Sequence, residues 1–231
     1  MEQEEIYRYL AQSFPVWERL NAREQAGLAE HTAQVHYEKG ARLHGAGTEC
    51  IGVLFVMRGR LRAYMLSQEG REITLYRLGA GEICILSASC VLSEITFDVH
   101  IDAEEDTDAL LTGAPYFSAL CEQSIYAECF SYKLAAERFS DVMWAMQQLL
   151  FMRMDQRLAI LLWDEFSKAG SDVIRLTHEQ AARCMGSARE VVTRVLRYFV
   201  GEGIVSLSRG SIRLLDRKKL RALAFSGEEG V

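Results

Sequence analysis

Residues 177–197 read THEQAARCMGSAREVVTRVLR, and the fold of the C-terminal part of the chain can be predicted from this stretch. Thr177 followed by Gln180 forms a capping-box pattern, which marks the start of a helix. Gly186 permits a tight turn, and a second helical pattern begins at Arg189. The stretch therefore predicts a helix-turn-helix.

The second helix has one cationic face and one apolar face. At about 100° per residue, its polar side chains cover about 140° of the circumference, and valine, leucine and phenylalanine cover the other side. Arginine pairs bidentately with guanine and glutamate accepts from cytosine, so the polar face suits base reading in DNA. The alternative is a solvated helix with ion pairs such as Glu190–Arg194. The polar set is Arg189, Glu190, Thr193, Arg194 and Arg197.

A hairpin pattern follows this helix. Two apolar-rich runs, Ile204–Leu207 and Ile212–Leu215, are separated by the turn Ser208–Ser211. A helix-turn-helix followed by a hairpin is a winged helix. Arg209 and Arg213 of the wing are expected to reach DNA phosphates, which adds affinity but little sequence reading.

The charge distribution supports two functional parts. The whole chain carries −6, which by itself argues against a nucleic-acid binder. Residues 1–153 hold 13 basic and 22 acidic residues, whereas residues 175–221 hold 11 basic and 4 acidic residues, a balance of +7. An acidic front and a basic back predict two domains, of which the second faces a polyanion.

The first half shows short β-rich runs separated by glycines. The pattern predicts a sandwich or jelly roll, with a hairpin turn at Gln68–Gly70 and an acidic turn at Glu104–Asp106. The predicted strands are Ile51–Met57, Leu61–Leu66, Ile73–Leu78, Phe97–Ile101 and Ala109–Leu111.

Residues 124–168 contain neither glycine nor proline and carry a heptad seam. Its steps alternate between four and three residues, which favours a parallel dimer interface. The alternative is a core helix packed on its own domain, and we expect a hinge near Met154–Asp155. The seam consists of Ile125, Cys129, Tyr132, Ala136, Phe139, Met143, Met146 and Leu150.

Other classes of protein are not indicated. No apolar run approaches the roughly 18 residues of a membrane helix, and Met1–Glu5 does not resemble a secretory signal. The six cysteines are scattered, so buried free thiols and a cytoplasmic location are expected.

The chain resembles the CRP/FNR family of bacterial transcription regulators. The resemblance lies in Tyr37–Gly40, Val53–Leu61, Leu78–Glu82, the seam helix and the run Gly186–Arg194. It implies an α+β fold: an N-terminal β jelly roll (a double-stranded β-helix, cupin-like), a long dimerisation helix and a C-terminal winged helix-turn-helix. The implied boundaries are 1–124, 125–154 and 155–231.

The resemblance also implies how DNA would be read. Arg189, Glu190 and Arg194 would contact bases of TGTGA-like half-sites in a near-palindromic operator. Thr177 and Ser187 would contact the DNA backbone, together with Thr193, Arg197 and the wing arginines. Ala188 departs from the family, where close relatives often carry a phosphate-contacting serine. RNA polymerase would be a partner if the protein is an activator.

The sensor half departs from several family members. No arginine lies between Arg77 and Arg138, so nothing local can clamp a cyclic phosphate, which argues against cyclic AMP. No cysteine precedes Cys50, which argues against an iron–sulfur cluster.

Cys84 resembles the thiolate ligand of the family's carbon-monoxide-sensing haem member. Leu86 occupies the place of the histidine there, and His100 could substitute for it. Three interpretations stay open. Cys84 could bind haem, Cys84 and Cys90 could form a thiol switch, or both could be buried thiols that line an apolar pocket for a small molecule. The candidate pocket residues are Cys84, Leu86, Ser87, Cys90, Phe97 and His100.

We therefore expect a homodimeric, sequence-specific DNA-binding regulator rather than an enzyme. The distant alternative is a cupin-type metalloenzyme with a DNA-binding tail. Such an enzyme needs clustered histidines and carboxylates, whereas His31, His36, His44 and His100 are dispersed, so no metal site is expected.

Overall fold

The computed structural model describes residues 2–45, 51–70, 72–85 and 99–225. Its contacts form two compact units. One comprises Met1–Met65 with Leu75–Met143, and the other comprises Leu66–Thr74 with Trp144–Val231. The division falls inside the long helix, between the sequence-based boundaries at 124 and 154.

Capped helices open the first unit. Helix α1 (Gln3–Ser13), a one-turn 3₁₀ helix (Trp17–Arg19) and α2 (Ala22–Glu30) precede the strands. Asn21 begins α2, because its side chain accepts from the backbone N–H of Glu24 while Glu24 reaches back to the N–H of Asn21. Together with α3 (Ala114–Gln123), these helices bury their apolar faces against one sheet.

The strands form a jelly roll from two four-stranded sheets within the described residues. The first sheet has the order β1-β8-β3-β6 and the second has the order β2-β7-β4-β5. The strands are β1 Thr32–Tyr37, β2 Arg42–His44, β3 Gly52–Arg58, β4 Leu61–Leu66, β5 Glu72–Leu78, β6 Ile83–Cys84, β7 His100–Ala103 and β8 Thr107–Gly113.

The sequence-based strands agree with these bounds to within about two residues in four cases. The exception is the predicted strand Phe97–Ile101. Strand β7 begins at His100 and continues to Ala103, and residues 97 and 98 lie outside the described part of the chain.

Side-chain alternation separates two apolar clusters in this unit. Val53 and Phe55 of β3 pack against the helices, whereas Leu54 and Val56 face the jelly-roll interior. Strand β7 alternates in the same way. Val99, Ile101 and Ala103 face the interior, and His100 lies on the opposite face of its sheet.

Helix α4 (Ile125–Phe151) leaves the heptad seam uncovered. All eight seam residues are exposed, and Phe139 is 64% accessible. Ala127, Ser131 and Leu134, on another face of the helix, are buried instead. The alternative in which the seam packs on its own domain is therefore wrong, because another face of the same helix does that.

The helix breaks once before α5 (Met154–Ala169). Arg153 adopts an extended conformation with ψ of 155° and caps α5. The break lies one or two residues before the predicted hinge at Met154–Asp155, and the hinge motion itself stays a prediction.

The C-terminal elements form a winged helix. After β9 (Val173–Ile174) come α6 (His178–Met185), α7 (Arg189–Gly201), β10 (Val205–Ser208), β11 (Ser211–Leu214) and α8 (Arg217–Ala224). The three strands pair in the order β10-β11-β9. The predicted wing is confirmed with a one-residue shift, whereas α8 was not anticipated. Among the described residues, no helix is both long and apolar enough to cross a membrane.

Candidate nucleic-acid interface and sensor interior

The helix-turn-helix begins with the predicted capping box. Thr177 Oγ1 accepts from the backbone N–H of Gln180 at 3.1 Å, and Gln180 Oε1 accepts from the N–H of Thr177 at 2.8 Å. These bonds satisfy donors that a helix start leaves free. Thr177 is exposed, so it is available at the surface of this helix end.

Two features stabilise the turn between α6 and α7. Gly186 has φ of 60°, the left-handed region that glycine reaches without strain. The guanidinium of Arg157, in the first turn of α5, donates to the carbonyl oxygen of Met185 at the end of α6. Arg157 is half-buried, and burial lowers its pKa. The turn is therefore bonded directly to the start of α5.

Helix α7 has the two predicted faces. Val192, Leu196 and Phe199 are fully buried in the C-terminal core. Arg189, Glu190, Arg194 and Arg197 are all exposed. The alternative ion pair between Glu190 and Arg194 is not formed within the described residues. The cationic face is thus open to solvent.

Sequence reasoning missed His178, the first residue of α6. Its Nδ1 lies 2.9 Å from Thr193 Oγ1, and that hydroxyl donates to the Arg189 carbonyl at 2.8 Å. Because the hydroxyl has one proton, the Nδ1–H must donate to Thr193, which leaves Nε2 as the titrating atom. Burial lowers the pKa of His178, and the nearby Arg189 and Arg197 lower it further. The only sequence signal was its position directly after the cap.

An open cleft of about 420 Å³ lies between the start of α6 and the wing. Backbone N–H groups of a helix start favour an anion, so the cleft can receive a phosphate group. Arg209 and Arg213 are exposed on the wing, whereas Ser187 is half-buried. The cleft is lined by Leu176, Thr177, His178, Glu179, Arg189, Ser208, Gly210 and Ser211.

Cys84 faces the jelly-roll interior and is 1% exposed. Tyr76 lies in the same cluster, and its buried hydroxyl has no hydrogen-bond partner in the described part of the chain. Burial raises the pKa of Tyr76 well above its usual value, and Cys84 adds to this.

An arginine from α4 lies over this cluster. The guanidinium carbon of Arg138 lies 5.0 Å from the Tyr76 ring centroid, and its Nη1 donates to Asp141 at 2.8 Å. The sequence alone did not indicate this arginine, because Arg138 approaches Tyr76 only through the fold.

His100 does not face Cys84. It lies on β7 with its side chain opposite the interior, and it stacks on Tyr64 at a centroid distance of 5.3 Å. The guanidinium of Arg62 lies 4.2 Å from the same Tyr64 ring. The predicted pocket residue His100 is therefore separated from Cys84. Leu86, Ser87, Cys90 and Phe97 lie outside the described residues.

The described residues contain no group of three or more histidine, cysteine, aspartate or glutamate side chains arranged to hold a metal. His31 instead stacks on Tyr116, and His36 bonds to Asp108 at 2.7 Å. The cysteines that the structure describes are Cys84, Cys121, Cys129 and Cys184; none of them forms a disulfide, and only Cys84 among them is fully buried as expected.

Two family models match the chain. Residues 34–124 match the cyclic nucleotide-binding domain, and residues 156–223 match the Crp-like helix-turn-helix domain. These two matches lie on the jelly roll and on the winged helix described above.

Two proteins of Thermus thermophilus are similar to this chain over most of its length. The cyclic AMP receptor protein of Thermus thermophilus is 25% identical over 82% of this chain and 87% of its own. The transcriptional regulator SdrP of the same organism is 29% identical over 76% of this chain and 85% of its own.

A solved structure is more similar. It is a transcriptional regulator of the crp/fnr family from Eubacterium rectale, 43% identical, with a TM-score of 0.89 over 92% of this chain and 99% of its own. The identity and the shared fold extend from the jelly roll through α4 to the winged helix. The chain accordingly belongs to the CRP/FNR family of DNA-binding transcription regulators.

Proposed function

We propose that the protein acts as a homodimer whose two α4 helices pair in parallel along the exposed seam. The observation that carries this proposal is that all eight residues of the regular heptad seam are exposed. Such a strip buries itself efficiently only against a second helix of the same kind. Two-fold symmetry then supports an operator with two half-sites about 34 Å apart.

Base reading is assigned to the open face of α7. Arg189, Glu190 and Arg194 would contact TGTGA-like half-sites, and Arg197 with the wing arginines would contact phosphates. The cleft at Thr177 and His178 supports a further phosphate contact. The regulator would work in the bacterial cytoplasm and would contact RNA polymerase if it activates transcription.

A direct experiment tests dimeric reading. Gel-shift and sedimentation measurements on a TGTGA palindrome should show two chains per duplex and weaker binding to a scrambled duplex. One chain per duplex, or equal affinity for both duplexes, would contradict the proposal. The affinity should also fall steeply with salt, because arginine and lysine release counterions from phosphates.

The signal is proposed to be a small molecule received in the jelly-roll interior beside Cys84 and Tyr76. Haem bound through Cys84 is the alternative, although His100 does not supply a second ligand from its face of β7. Cyclic AMP is not proposed, because no arginine occurs in residues 78–137 and the nearby Arg138 is already paired with Asp141 at 2.8 Å. We expect an absorbance spectrum of the purified protein without a Soret band, and such a band would favour haem instead.

DNA binding is expected to strengthen as the pH falls, because of His178. Its pKa is lowered in the free protein, and a nearby phosphate would raise it, so the complex takes up a proton. The extra affinity is complete below the free-protein pKa and is lost as the pH rises through the pKa of the complex. Fluorescence anisotropy between about pH 5 and pH 8 measures this slope.

The matched variants for this prediction are His178→Gln and His36→Gln. The first should flatten the pH dependence, whereas the second removes a titrating histidine from the surface of β1 and should leave it unchanged. An identical slope in wild type and His178→Gln would assign the effect to another group.

A further inference from the structure

Helix α8 carries a concentration of positive charge. Four of the chain's 26 basic residues lie within residues 217–221, and all four are exposed. The helix itself contains no acidic residue. These residues are Arg217, Lys218, Lys219 and Arg221.

The positions of these charges are unfavourable for the stability of the helix. Three of them occupy the first turn, where the helix dipole favours acidic side chains. The nearest acid, Asp216, is the cap and accepts from the backbone N–H of Lys219 at 3.0 Å. None of the four forms an ion pair with a carboxylate in the described residues. Basic residues that destabilise the start of their own helix are typical of a functional surface that binds a partner.

The helix is fixed firmly enough to present its charges in one orientation. Leu220 and Ala224 are buried in the C-terminal core. Lys219 Nζ donates to the Glu202 carbonyl at 2.9 Å, and the Arg217 guanidinium lies 5.3 Å from the Trp163 ring. Lys218 and Arg221 have no such partner within the described chain. They are the two charges most available to another molecule.

We propose that α8 binds the phosphates of DNA flanking each half-site. The positive charge of α8 and its continuity with the wing both favour DNA as the ligand. Arg209, Arg213 and Arg217 recur every four residues from the wing tip to α8, in steps of at most about 13 Å. Protein interfaces are depleted of lysine, whereas phosphate contacts use it readily. This inference rests on the proposed DNA reading and extends it beyond the operator.

The test compares two duplexes and one double variant. Wild type and Lys218→Ala with Arg221→Ala are titrated onto a short duplex that holds only the two half-sites, and onto a long duplex with flanks of about 15 base pairs. The variant should bind the long duplex at least about tenfold more weakly than wild type and bind the short duplex equally well. Its salt slope on the long duplex should fall by about 3 to 4, because the variant dimer neutralises about four fewer phosphates.

Two matched variants define the controls. Lys218→Arg with Arg221→Lys keeps the charges and should behave as wild type. Arg8→Ala with Arg23→Ala removes two exposed arginines from α1 and α2 and should change neither duplex.

The outcomes separate this inference from the proposed function. Equal affinity of wild type and variant on the long duplex overturns the flank contact, and a change only in transcription with purified RNA polymerase would assign α8 to an acidic protein surface instead. Equal loss on both duplexes also overturns the flank contact. Failure of wild type to select the half-sites would contradict the proposed function itself.

Discussion

Replacing Arg189 with alanine is expected to weaken binding to the TGTGA palindrome by about 30-fold to 10⁴-fold. One bidentate arginine–guanine contact is worth about 1–3 kcal/mol, and a symmetric dimer loses two of them. The side chain is exposed and contributes nothing to the core, so the thermal melting temperature should not change. Anisotropy titrations on specific and scrambled duplexes measure the loss.

Two further variants separate base reading from charge. Arg189→Lys keeps the charge but loses the planar fork, so it should retain non-specific affinity while losing most of the preference for the palindrome. Arg8→Ala removes an exposed arginine from α1 and should bind as wild type does. If Arg189→Ala kept the full ratio of specific to scrambled affinity, base reading would have to be assigned elsewhere on α7.

Replacing Phe139 with glutamate is expected to separate the dimer. The side chain is 64% exposed in the single chain and lies in the middle of the seam. In a parallel pair, two carboxylates would face each other across the symmetry axis without a partner. An uncompensated buried charge costs about 3–5 kcal/mol, so the dimer dissociation constant should rise by at least about 10²-fold. Sedimentation equilibrium measures this constant.

The control variants keep the same helix. Phe139→Leu preserves an apolar seam residue and should remain dimeric, and Gln147→Glu adds a carboxylate at an exposed position outside the seam. Circular dichroism should show equal helix content in all three variants. A Phe139→Glu protein that stays dimeric with full DNA affinity would place the dimer contact on another surface.

The helix-turn-helix could be predicted because its determinants are local. The capping box at Thr177, the turn at Gly186 and the two faces of α7 each depend on residues within a few positions of one another. The heptad seam of α4 could be predicted for the same reason. The exposure of Phe139 and its neighbours then excluded the interpretation in which the seam packs on its own domain.

The sensor site was less predictable because it is assembled from distant segments. Arg138 approaches Tyr76 from 62 positions further along the chain, a juxtaposition that no local pattern encodes. His100 and Ile101 are neighbours in sequence but face opposite sides of the sheet, and only the register of β7 with β4 shows which one meets the interior. Helix α8 was missed for a different reason, since its charged residues mask the single buried stripe at Leu220 and Ala224.

If the proposed signal acts at the helix break at Arg153, α5 transmits the rotation along its whole length. Helix α5 has 16 residues and is therefore about 24 Å long. A rotation of about 8° at the break would displace its far end by about 3.4 Å, which is the rise of one base pair. Under the proposed function, a small angular change at this one residue would therefore be enough to move α7 out of register with its half-site.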